Sequence, residues 1–289
     1  MLVLASIASL RSRIISEQRA AQINADDDLP VIGIPSPLKK YAPTVDERLP
    51  HPPFFLSVIA QRNSGKTNAV VDALLDPKKF AGRFNFIILW SATYTTDSKF
   101  SLLGLPDYCI FKTYEEEKLK EVVKLIEEMN KSWSDLHFCL IFDDLIAAGL
   151  MNPHKMKELD HLAVAGRHLN ISVIFISQVF MALSPPVRTN TTNWMIFSID
   201  NARELERISQ ECCGAMRPRD FIDYVYTPAT SKMYNFLHIH NNREISKRFN
   251  HNWGRVITPT IPDKNKTRKR DRAQFDSTDD DTSDFLSVV

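Results

Sequence analysis

The chain has 289 residues, 44% of them hydrophobic and 25% charged, with a net charge of +1. That apolar content can bury a sizeable core in one large α/β domain or two small ones, and it excludes a disordered or strongly polyelectrolyte chain. The cysteines Cys109, Cys139, Cys212 and Cys213 form no CxxC pair; the adjacent Cys212–Cys213 pair is a poor disulfide framework, and all read as reduced thiols of an intracellular protein.

The opening MLVLASIASL is apolar but too short to cross a bilayer, and it lacks the basic start of a signal peptide. No later run approaches transmembrane length. Val3, Ile7, Leu10 and Ile14 follow helical spacing, giving a stripe expected to dock on a partner or on the domain itself rather than to anchor in a membrane. Residues 20–53 are rich in Pro, Asp and Lys and read as an extended lead-in. The expected organisation is an N-terminal helix and lead-in over 1–50, one folded domain over 51–258, and a charged, disordered tail over 259–289.

Within the domain, FFLSVIA (54–60) reads as a buried strand running into QRNSGKT, and TNAVVDALLD (67–76) as a helix with Val70, Val71, Leu74 and Leu75 on one face. FNFIILW (84–90) and DYCIF (107–111) are further strands. TYEEEKLKEVVKLIEEMNKSW (113–133) is the clearest helix, with Leu119, Val122, Val123, Ile126, Met129 and Trp133 inward and glutamates at its N-terminus. HFCLIFDDL (137–145) is a strand ending in two carboxylates. A helix over 153–169 starts at Pro153, strands follow at 171–178 and 194–199, a helix at 201–212 and a strand at 234–240. Continuously apolar strands alternating with helices predict an α/β fold whose mostly parallel sheet is covered on both faces.

AQRNSGKT (60–67) matches the end of the phosphate-loop pattern GxxxxGK[ST] at Gly65, Lys66 and Thr67, with Ala60 where the first Gly is usual. It lies between a strand and a helix, as a phosphate cradle requires. There Gly65 permits close backbone approach, Lys66 neutralises the β- and γ-phosphates, and the Thr67 hydroxyl ligates Mg²⁺. Arg62, Asn63, Ser64 and Asn68 complete the expected phosphate contacts. Asp143, ending CLIF, is the expected Mg²⁺ partner, and Asp144 polarises the attacking water. Gln178, ending ISVIFIS, either senses the γ-phosphate or caps a strand end.

AQRNSGKT, LIFDDL, GRHLNISVIFISQ and PPVRTN together resemble the genome-packaging ATPases of large DNA viruses, poxvirus type included, within the FtsK–HerA superfamily. The resemblance covers about 54–240. It implies a RecA-like P-loop NTPase core over 51–258, ATP and Mg²⁺ as ligands, a homo-oligomeric ring, double-stranded DNA as the transported partner and a capsid or portal-vertex protein as the dock. It also implies a virus assembly site in the host cytoplasm or nucleus, and the virion, as its location. Ring ATPases take an arginine from a neighbouring subunit; Arg188, Arg203 and, in cis, Arg62 stand as candidates. The chain departs from the family at Ala60 and at Asp144, where many members carry Glu.

Two other classes stay open at this level: a P-loop kinase, for which 179–192 is a meagre lid with one arginine, and a nucleotide-binding scaffold without turnover. KNKTRKRDR (264–272) reads as a DNA-phosphate contact, a nuclear import signal or a solvated tail. His154, His161 and His168 recur too far apart on a helix to share a metal. His238 and His240 share a strand face without a third ligand.

Overall fold

The computed structural model describes residues 46–94, 98–133, 136–145 and 156–259. The expected stripe at 3–14, Pro153 with His154, and the charged tail from 260 lie outside the described residues.

Among the described residues nine strands form one sheet: β1 (Phe55–Ile59), β2 (Phe86–Ser91), β3 (Ile110–Phe111), β4 (Phe138–Asp143), β5 (Ile171–Ser177), β6 (Asn193–Phe197), β7 (Phe236–His240), β8 (Phe249–His251) and β9 (Arg255–Val256). Their order is β3-β2-β4-β5-β1-β6-β7-β8-β9. All pairings from β3 to β6 are parallel, and β7, β8 and β9 extend the sheet in antiparallel fashion. Every residue of β1, β4, β5 and β6 is buried, as strands covered by helices on both faces must be.

The pleat still sorts these residues between two cores. Phe138, Leu140 and Phe142 of β4 and Ile171, Val173 and Phe175 of β5 face one; Cys139, Ile141, Ile174 and Ile176 face the other. Helix α1 (Lys66–Leu75) covers the second face through Val70, Val71 and Leu74. Leu75 is 46% exposed, against the sequence expectation. At 100° per residue it sits about 90° from the centre of the stripe made by the other three. Helix α2 (Glu116–Ser132) lays Leu119, Val122, Val123, Ile126 and Met129 on the first face. Aromatic rings tie four strands there: Trp90 stacks on Phe111 at 4.8 Å and on Phe142 at 4.9 Å, and Phe142 meets Phe175 in a tilted pair at 6.1 Å.

The helix expected over 153–169 is α3 (Lys157–Ala165) followed by a 3₁₀ turn over Gly166–Leu169. Asn170, at φ 54°, ends it. A short α4 (Pro185–Asn190) is capped by Ser184, whose hydroxyl accepts from the Val187 N–H. Helix α5 (Ala202–Cys212) is capped by Asn201. A helical stretch with a π-helical centre (Ile222–Tyr226) then leads toward β7. The first and last strands in the sheet order, β3 and β9, have two residues each. Among the described residues no helix is long and apolar enough to cross a membrane.

Candidate active site

The carboxyl ends of the parallel strands all open on one edge of the sheet, and the predicted residues are carried there by strand ends. β1 runs through Ala60, whose N–H donates to Ser177 O at 3.1 Å, into the loop Gln61–Gly65. Asn63 (φ 60°) and Gly65 (φ 86°) take left-handed conformations, and α1 starts at Lys66. Alternating backbone handedness at a helix N-terminus turns successive N–H groups toward one point, a concavity suited to an anion. The Ser64 hydroxyl donates to Gln61 O at 2.8 Å across the loop. Thr67 is buried, whereas Arg62, Asn63 and Asn68 are exposed. Ala60 is fully buried in the core beneath α1, so its methyl packs with the core.

Lys66 is half-buried. Burial pulls its ammonium below the usual lysine range, opposed by the charges of Asp144 and Asp143. That mutual influence follows from strand order: β4 lies two strands from β1, about 10 Å at ordinary strand spacing. Arg62 and Lys99 add positive charge to the same region.

Asp143 is 3% exposed. Its Oδ2 accepts from Ser91 Oγ at 2.9 Å and from Thr93 Oγ1 at 3.3 Å, while its buried Oδ1 has no partner among the described residues. Burial raises its pKa above the ordinary carboxylate value, and the Ser91 hydrogen bond and the Lys66 charge act the other way. Such a carboxylate, desolvated and half-satisfied, is suited to a cation on its free oxygen. Asp144 adopts φ 51°, its N–H donating to Ile176 O at 3.2 Å. This left-handed turn leaves its Oδ2 to accept from Gln178 Nε2 at 2.7 Å. Lys66, Asp143, Asp144 and Gln178 therefore share one edge.

The arginines differ. Arg188 on α4 pairs with Glu211 at 2.9 Å and lies over the Phe180 ring at 5.6 Å. Arg203, in the first turn of α5, is exposed and has no ion pair among the described residues. The loop before α5 touches the phosphate loop: in the amide orientation that satisfies both groups, Gln61 donates to Asp200 Oδ2 at 3.0 Å and accepts from the Asp200 N–H at 2.9 Å. Sequence reading missed Ser91, Thr93, Gln61 and Asp200. Only the first two left a trace, as hydroxyls closing the apolar strand FIILW.

His238 and His240 lie inside the antiparallel part of the sheet, with ring centroids 5.6 Å apart, and His238 Nε2 is 3.1 Å from Asn193 Oδ1. His161 and His168 are exposed. No group of three or more His, Cys, Asp or Glu among the described residues is placed to hold a metal.

A strand–loop–helix phosphate cradle faced by strand-end carboxylates across a parallel sheet defines a P-loop nucleoside triphosphatase of the RecA-like type. A family model described as Poxvirus A32 protein matches residues 44–240, and the chain belongs to that family. Similar solved structures include the genome packaging NTPase B204 from Sulfolobus turreted icosahedral virus 2 in complex with AMPPCP (18% identity, 70% of this chain and 97% of that one, TM-score 0.50). They also include B204, the DNA-packaging ATPase from Sulfolobus turreted icosahedral virus (18% identity, 73% and 99%, TM-score 0.51), and the AMP complex of the former (16% identity, 70% and 98%, TM-score 0.51). At these identities the likeness is one of fold. No curated protein sequence matches the chain.

Proposed function

We propose that the chain is the genome-packaging ATPase of a virus, a motor that hydrolyses ATP to move double-stranded DNA into a capsid. Membership of the poxvirus A32 family and a fold shared with B204, whose structures are described as those of a packaging NTPase, support this reading. The observation that carries the chemistry is the meeting of Lys66, Asp143, Asp144 and Gln178 at one sheet edge.

In this reading the backbone of Arg62–Thr67, with Asn68 beside it, cradles the phosphates, and Lys66 offsets the charge gathering on the γ-phosphate. Thr67 and the unpartnered Oδ1 of Asp143 would hold Mg²⁺, which would neutralise the phosphate oxygens when bound. Ser91 and Thr93 hold the other oxygen of Asp143 and so would leave Oδ1 to the metal. Asp144 orients and polarises the attacking water, and Gln178 holds Asp144 in place.

Exposed Arg203 suits a finger reaching a neighbouring subunit's nucleotide better than Arg188, which is committed to Glu211. The assembly is a homo-oligomeric ring docked on a capsid or portal-vertex protein at the virus assembly site, with DNA in its channel. The test is ATP hydrolysis with and without double-stranded DNA, in wild type and Lys66→Ala. DNA-stimulated turnover lost in the variant is expected; turnover unchanged by Lys66→Ala would remove the phosphate-loop assignment.

A further inference from the structure

The phosphate loop carries an aromatic ring that the chemistry above does not use. Tyr234 lies against Gly65: a Cβ built on that glycine would sit 2.9 Å from Tyr234 Cδ1. The tyrosine is nonetheless 62% exposed. Its backbone adopts φ 67°, an uncommon conformation for a bulky residue and one that persists only where the surroundings impose it. They do so here. Asn235 N–H donates to Lys232 O at 3.1 Å, Asn252 Oδ1 accepts from the Phe236 N–H at 2.9 Å, and Asn252 Nδ2 donates to Asn235 Oδ1 at 3.2 Å. A turn pinned in this way presents its ring at a fixed place.

That place is defined by the sheet. Tyr234 lies two residues before β7, whose first residue Phe236 pairs with Phe197 at the carboxyl end of β6. β6 adjoins β1 on the side opposite β5 and β4. The catalytic carboxylates thus lie on one flank of the phosphate loop and Tyr234 on the other. A triphosphate with its terminal phosphate toward Asp143 and Asp144 must send its nucleoside end away from them, toward β6 and β7.

We infer that Tyr234 is the stacking platform for the base or ribose of the bound nucleotide. This rests on the phosphate-loop reading above and adds the nucleoside half of the site. Base–aromatic stacking is tolerant of base identity, because every base has a π-face.

The test uses the full chain and two probes, ATP and inorganic tripolyphosphate, the second lacking base and sugar. Tyr234→Gly removes the ring and suits the positive φ, and Tyr234→Phe keeps the ring without the hydroxyl. Expected is roughly tenfold weaker ATP binding in the glycine variant, unchanged tripolyphosphate binding, and wild-type behaviour in the phenylalanine variant. ATP affinity unchanged in Tyr234→Gly, or both probes weakened equally, would overturn the platform while leaving the phosphate loop standing. Failure of the wild type to bind either probe would overturn both.

Discussion

The Gln178–Asp144 hydrogen bond makes a quantitative prediction. Gln178 Nε2 donates to a carboxylate oxygen at 2.7 Å in a partly buried setting. A hydrogen bond to a charged group contributes about 1.5–3 kcal/mol. In Gln178→Ala the carboxylate keeps its left-handed turn and its backbone bond to Ile176, but its Oδ2 is free to rotate. If the bond's whole value is spent on aiming Asp144 at the attacking water, kcat falls between about 10- and 150-fold. Partial exposure places the expectation in the lower half of that range. The proposed role sets Gln178 on the water side of the γ-phosphate, so binding should hold: KM and the affinity for a non-hydrolysable ATP analogue stay within about twofold. Steady-state hydrolysis with saturating DNA and a fluorescent-nucleotide titration measure both. Unchanged kcat, or a raised KM at constant kcat, would refute the positioning role. Gln178→Glu should be at least as damaging, because it sets one carboxylate against another.

Asp143→Asn should abolish turnover yet raise Tm by a few degrees, since it removes a desolvated buried charge; a lower Tm in calorimetry without nucleotide would contradict this. Ala60→Gly, which restores the usual loop residue, should cost about 0.5–1 kcal/mol of stability and leave ATP affinity unchanged, because the Ala60 methyl packs in the core; denaturant melts and nucleotide titration check both halves. Acid should destabilise the fold through its buried imidazoles, with His238 pushed down to about 3 and His240 to about 4, burial being the main cause in each. Their folded pKa values lie below the unfolded value, so the stability they contribute is complete above about pH 6.5 and is lost as pH falls toward about 4 for His240 and about 3 for His238. For His238 alone the loss from pH 7 to pH 5 is about 2 kcal/mol, and urea melts of His238→Asn should show a smaller loss than wild type; an equal loss would exclude this origin.

The part of the candidate site legible in the sequence was the part that follows from local chain order. A strand, a Gly-Lys-Thr turn and a helix are contiguous, and a parallel sheet brings every strand's carboxyl end to one edge. Lys66, Asp143, Asp144 and Gln178 could therefore be grouped without knowing which strands are neighbours. Ser91 and Thr93 could not, because their bond to Asp143 depends on β2 pairing with β4 in the register that sets Ser91 opposite Asp143. The Gln61–Asp200 contact likewise depends on β6 lying beside β1, and Tyr234 on β7 returning antiparallel to β6. β8 and β9 were missed because FNH and RV are too short to show an alternation. Helix α4 had a signal, a serine before two prolines, but six residues carry too little periodicity to confirm it.

The two-residue strands at the margins of the sheet bear on how copies of the chain can come together. A long bare strand invites a neighbour to zip onto it through main-chain bonds, the route to open-ended stacking. Among the described residues β3 and β9 offer almost no such ladder. In the ring proposed above, contacts between copies would then fall to side chains on the helices and loops, surfaces that could slide or loosen at each turnover without unpicking the backbone framework that carries the phosphate loop.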